Sequence, residues 1–271
     1  MAGAPKSQAV RKLTLMKLRY VLAWGVHLYT ALGLVAAGGI AVAIMDGRPA
    51  LFRLAFFLMV VATVIDATDG MLARWVRVKE VLPNFDGRRL DDIVDFQTYT
   101  TLPLLLLVRC AALPDGQEFW LIAPLLASAY GFSQTAAKTD DGYFLGFPSY
   151  WNVIAFYIYV LQPPTDVTVV LLLSFAVLTF VPLRYLYPTM RGRLNRLTNQ
   201  MGFIWGVFLV WILGRLPEHL TEGMHADATT RLMTSASLVF PAFYLGMSWA
   251  INIRYWRRRG RRVHHDTAPG P

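Results

Sequence analysis

The chain has 271 residues, of which 55% are apolar, 13% aromatic and only 16% charged. A soluble domain carries roughly 25% charged residues, so this composition excludes both a solvated globule and a disordered chain. Lys and Arg number 26 against 17 Asp and Glu, a net charge of +9 that in so apolar a chain points to anionic lipid headgroups and not to nucleic acid. One cysteine, Cys110, excludes an intrachain disulfide. A helix needs about 20 apolar residues to cross a hydrocarbon core about 30 Å thick. In chain order the apolar runs predict eight such helices, at 21–45, 50–73, 90–112, 118–137, 148–162, 166–187, 201–215 and 231–252. Pro83, Pro114, Pro148, Pro163, Pro164, Pro188 and Pro217 fall between these runs or at their ends. The expected fold is an all-α integral membrane protein. A cytosolic juxtamembrane segment (1–19) precedes a membrane domain (20–253) and a basic tail (254–271).

Lys and Arg set the orientation of such a bundle. With both termini in the cytosol, 21 of the 26 cationic residues fall inside, and Arg48, Arg53, Arg109, Arg215 and Arg231 fall outside. That asymmetry supports both the count of eight and the cytosolic termini. No signal peptide is evident in Met1–Ala23. The basic stretch Lys12–Arg19 reads as a juxtamembrane anchor or an amphipathic helix on the inner surface.

Five carboxylates stand where a membrane protein should avoid them. Asp66 and Asp69 end the second apolar run, and Asp91, Asp92 and Asp95 open the third. A carboxylate near a bilayer costs several kcal/mol unless it is paired or bound to a metal. At about 100° per residue, Asp66, Asp69, Gly70 and Ala73 share one helical face. Gly87, Asp91 and Asp95 share a face of the next helix. A loop of ordinary bundle length allows the two helices to be antiparallel neighbours. Four facing carboxylates form a hard-oxygen cage that two divalent cations would neutralise, and such a pair suits displacement at phosphorus. The alternative is a set of ion pairs with Arg74, Arg77, Arg88 and Arg89.

These residues carry a resemblance. Asp66-x-x-Asp69-Gly70-x-x-Ala73-Arg74, a gap, then Gly87-x-x-x-Asp91-x-x-x-Asp95 resembles the signature of the CDP-alcohol phosphotransferase family at every fixed position. The gap, residues 75–86, is longer than the family's usual spacing and is similar to that of its bacterial phosphatidylcholine synthases. So are His27-Leu28-Tyr29-Thr30 and the segment Gly146–Asn152. The resemblance implies that Asp66, Asp69, Asp91 and Asp95 bind two divalent cations, Mg or Mn. It implies that Asp95 also deprotonates the alcohol. Thr30, Gly70, Ala73, Arg74 and Gly87, with Asp66, would bind CDP-diacylglycerol, Arg74 through the diphosphate. His27 stands where the wider family often has Asn, and is expected to be a satisfied polar side chain on a helix face.

The same resemblance implies choline as acceptor and CMP as the released product. A quaternary ammonium is recognised by aromatic faces. Tyr99, Tyr150, Trp151, Tyr185 and Tyr187 are the candidates, the last two expected at the cytosolic end of the sixth helix. Tyr and Trp also anchor membrane interfaces. Expected partners are the two substrates, membrane lipids and a second copy of the chain, with no nucleic acid. The expected location is the bacterial cytoplasmic (inner) membrane, as a multi-pass protein with its active site facing the cytosol. The rival readings are another acceptor on the same scaffold (serine, inositol or glycerol phosphate) and, from another class, an ion-coupled transporter with acidic sites in mid-bilayer.

Overall fold

The structure, a computed structural model, describes residues 4–135, 139, 143–186, 193–216 and 227–266. The chain forms two compact units, Met1–Leu102 and Pro103–Pro271.

In the first unit α1 (Ala4–Asp46) and α2 (Pro49–Val76) form a helical hairpin. Gly47, at φ 76°, supplies the left-handed residue that reverses the chain, and Pro49 opens α2 where a missing N–H costs nothing. Small residues let the two helices meet closely. Ala36, Ala37 and Ala43 of α1 are buried, as are Ala55, Ala62, Phe52, Phe56 and Met59 of α2. The lipid-facing complement is apolar too, with Leu28, Val35, Val42 and Met45 on α1 and Leu54, Val61 and Val64 on α2 all exposed. At about 1.5 Å per residue, the 43 residues of α1 run well beyond a hydrocarbon core. The basic stretch is thus the first part of the same helix. Its exposed Leu13, Leu15, Met16 and Leu18 lie all round the axis, so it presents no single apolar face.

Arg77, in the left-handed region at φ 58°, ends α2 and donates its N–H to the carbonyls of Ala73 and Arg74. The short α3 (Val78–Val81) folds back so that Val78 and Leu82 pack on Ala23 and Val26 of α1. Helix α4 (Gly87–Asp95) begins three residues earlier than the apolar run predicts, because the Asp86 carboxylate caps it by accepting from the N–H groups of Arg88 and Arg89. A π-helical turn (Phe96–Thr101) follows without a break, Leu102 N–H reaching back five residues to the Gln97 carbonyl.

The second unit starts within α5 (Leu102–Arg109). A 3₁₀ turn (Glu118–Leu121) leads into α6 (Ile122–Ser133). Then come β1 (Phe144–Leu145), α7 (Trp151–Leu161), α8 (Thr165–Phe180), β2 (Arg184–Tyr185), α9 (Arg193–Arg215), α10 (Ala228–Ser237) and α11 (Val239–Asp266). Helix α6 packs on α8, and α10 on α9 and α7. The sixth predicted run is corrected. Its helix stops at Phe180, before Pro182, and Tyr185 lies instead on β2, antiparallel to β1 with Phe144 opposite Tyr185. Asn252 of α11 pins that strand, donating to the Arg184 carbonyl and accepting from its N–H. The last run divides at Leu238, since Pro241 removes the N–H that the Ser237 carbonyl would otherwise accept.

Among the described residues four helical segments are long and apolar enough to cross a membrane: Leu13–Asp46, Pro49–Val76, Asn195–Arg215 and Ala228–Arg257. Helices α7 and α8 are shorter and apolar. The architecture is that of an all-α membrane protein, with one two-stranded ribbon among the described residues.

Candidate active site

Helices α2 and α4, both packed on α1, bring their acidic residues together in the first unit. One carboxylate oxygen from each of Asp66, Asp91 and Asp95 lies within 4.8 Å of the other two. Asp69, one turn along α2 from Asp66, is 6% exposed and lies beside Asp91. Thr30 of α1 donates its hydroxyl to Asp69 Oδ2 at 2.7 Å. Tyr99, in the π-helical turn, donates its own to Asp66 Oδ2 at 2.7 Å. Beside them the Tyr29 and Thr68 hydroxyls share a hydrogen bond of 2.8 Å. Hydroxyls from two other elements thus fix the orientation of the two α2 carboxylates.

So close a set of like charges is stable when a cation neutralises it. Of the nearby arginines, Arg77 pairs with Glu80 and Arg89 with Asp86, while Arg88 reaches Asp92, the member of the five carboxylates outside this cluster. The donor set is carboxylate oxygen only, the chemistry that Mg and Mn take and that softer metals do not. Asp66, Asp91 and Asp95 are half-buried, within reach of a ligand from the surface.

The space around the cage is uneven. A Cβ placed on Gly70 would meet only the Arg74 guanidinium, at 3.4 Å, so the α2 backbone is open there and Arg74, exposed, stands over the opening. Ala73 faces inward and packs on the Ala23–Val26–Val78–Leu82 cluster. Gly87 differs from expectation, because the room beside its Cα is filled by the His27 ring. His27 is also corrected: it is 7% exposed, and its Nε2 has no hydrogen-bond partner among the described residues. A buried unpaired nitrogen costs roughly 1–3 kcal/mol.

The aromatic candidates divide between the units. Tyr99 belongs to the first, its ring buried and its hydroxyl committed to Asp66. In the second unit Trp151 is fully buried, with Nε1 donating to Ser128 Oγ at 2.7 Å. Tyr150 is half-buried and in hydrogen-bonding contact with Tyr244 of α11. The Tyr244 hydroxyl donates to the Leu186 carbonyl at 3.0 Å, and its ring stacks at 6.4 Å on buried Tyr185. Phe147 meets Tyr150, Trp151 and Tyr185 edge-on. Sequence reasoning missed Tyr244, which no spacing ties to the others, and did not single out Phe147 within the Gly146–Asn152 segment. Tyr187 lies outside the described residues.

No family model matches the chain. The chain is similar to a phosphatidylcholine synthase of Legionella pneumophila, 36% identical over 242 residues, covering 85% of this chain and 89% of the relative. It is 31% identical to a phosphatidylcholine synthase of Borreliella burgdorferi, over 84% of this chain and 96% of that one. A third, from Pseudomonas aeruginosa, is 34% identical over 71% and 80%. Likeness of this extent to several such enzymes, spanning most of both chains, places the protein: it belongs to the phosphatidylcholine synthase family.

Proposed function

We propose that the protein transfers the phosphatidyl group of CDP-diacylglycerol to choline and releases CMP. The observation that carries this reading is the meeting of three carboxylate oxygens within 4.8 Å, with Asp69 beside them, in a chain whose relatives are phosphatidylcholine synthases. Asp66, Asp69, Asp91 and Asp95 would hold two divalent cations, Mg or Mn, which when bound would neutralise the diphosphate and the charge that develops as it is cleaved. Thr30 holds Asp69 in place. Arg74 offers its guanidinium to the diphosphate, and the open backbone at Gly70 borders the nucleotide, whereas Ala73 packs on the α1 cluster and the space at Gly87 holds the His27 ring. Asp95 takes the proton of the choline hydroxyl. The freed oxygen attacks the phosphorus that carries the diacylglycerol, a new P–O bond forms, and the P–O bond to CMP breaks.

The charge asymmetry supports eight crossings with both termini in the cytosol, in a bacterial cytoplasmic membrane. The membrane domain then spans 20–253, between a juxtamembrane segment (1–19) and a basic tail (254–271). A homodimer is the expected assembly.

Ring faces suit the acceptor, and the candidates are Tyr99 in the first unit and Tyr150, Trp151, Tyr185 and Tyr187 in the second. Tyr150 is the sharpest test because it is half-buried, whereas Trp151 sits in the core. A desolvated cation–π contact is worth about 2 kcal/mol, or roughly 30-fold in affinity. Tyr150→Ala should therefore raise the KM for choline by about that factor and leave the KM for CDP-diacylglycerol near its parental value. Tyr150→Phe keeps the face and should stay close to the parent. A choline KM unchanged in Tyr150→Ala would remove Tyr150 from the acceptor site.

A further inference from the structure

Gly87 and His27 make a contact in which no carboxylate takes part. A Cβ on Gly87 would lie 2.5 Å from His27 Cε1 and 3.0 Å from Nδ1, closer than carbon contacts allow. The His27 ring has no easy retreat. It sits 4.3 Å from the Phe85 ring and 6.0 Å from Trp24, and those two rings meet at 5.1 Å. With Nε2 unpartnered among the described residues, the ring is held by shape and not by a hydrogen bond. The far end of α4 repeats the arrangement with the roles exchanged. There the glycine is Gly33 of α1, whose added Cβ would collide with Val94 Cγ1. Helix α4 is thus seated on α1 at both ends, ring against glycine and valine against glycine. Asp91 lies one turn from Gly87, and Asp95 directly follows Val94.

We propose that this two-point seat, and His27 in particular, sets how far α4 advances its Asp91 and Asp95 towards the α2 carboxylates. His27 is a positioning residue that acts through Gly87. The imidazole fills the space that Gly87 leaves, so a side chain at 87 has to displace it. The inference rests on the reading that the four carboxylates hold a divalent cation. A misplacement of about 1 Å in such a constellation costs on the order of 100-fold, and two residues in contact are strongly non-additive when both are changed.

The test uses full-length protein purified in detergent and titrated with Mn²⁺, the bound fraction being read from the loss of the free-ion EPR signal. His27→Ala should weaken binding by about threefold, because the seat loosens. Gly87→Ala should weaken it by at least about tenfold, because the new methyl drives α4 off α1. The double variant should recover to within about threefold of His27→Ala, since removing the ring makes room for the methyl. A double variant as weak as Gly87→Ala, or a Gly87→Ala that binds like the parent, overturns the proposal. If Gly87→Ala does not accumulate, a double variant that accumulates and binds Mn²⁺ supports it. A double variant that fails to accumulate where His27→Ala does so overturns it. A parental protein that takes up no Mn²⁺ fails the metal reading itself, a result separate from a failed rescue in a protein that binds the ion.

Discussion

Asp66→Asn, Asp69→Asn and Asp91→Asn should each lower phosphatidyl transfer by at least about 100-fold while the protein still accumulates in the membrane. Asparagine keeps the size of the side chain and one carbonyl oxygen, so α2 and α4 should pack as before. What it removes is charge, and charge is what the cage offers a cation. Membrane insertion gets easier when an aspartate is neutralised, because an ionised carboxylate is among the costliest groups for a bilayer helix. Lost activity with preserved insertion therefore separates a metal site from a folding defect. Asp69→Asn is the most informative of the three. Its oxygen can still accept from Thr30, so the 2.7 Å hydrogen bond can survive while the charge is gone. A chelator should silence the parent in the same way, and added Mg or Mn should restore it. Activity near the parental level in saturating chelator would contradict the cage.

Asp95→Asn should lower kcat by a further distinguishable route. A positioned general base contributes about 100- to 10,000-fold. If Asp95 takes the choline proton, its loss should fall on kcat, with the KM for CDP-diacylglycerol changing little, and raising Mn should not restore the rate. If Asp95 only holds a cation, excess Mn should recover much of it by mass action. Asp95 is half-buried and shares the 4.8 Å cluster with Asp66 and Asp91, so both roles start from the same place. The metal titration in the variant is what divides them.

The helices that carry the carboxylates were readable because two signals coincide. The apolar run of α2 ends where Asp66 and Asp69 begin, and the spacing of Gly87, Asp91 and Asp95 repeats at four residues. The start of α4 was legible too, had Asp86 been read as a cap ahead of Gly87. Other features needed the folded chain. The π-helical turn at Phe96–Thr101 has no composition of its own, and the Tyr99–Asp66 hydrogen bond joins residues 33 apart. The His27–Gly87 contact depends on how deeply α4 settles on α1, which periodicity does not report. The sixth run misled because Val181, Leu183, Tyr185 and Leu186 are as apolar as the helix before them. Pro182 was the signal, and extended pairing with β1 won over helical continuation.

Choline as the acceptor is tested by offering the enzyme a choice of alcohols. The purified protein, given CDP-diacylglycerol and Mn with labelled choline, serine, inositol or glycerol phosphate in parallel, should form phosphatidylcholine and CMP in equal amounts from choline. The other three alcohols should react at a small fraction of that rate. A faster reaction with any of them, or CMP release that choline does not increase, would contradict the account.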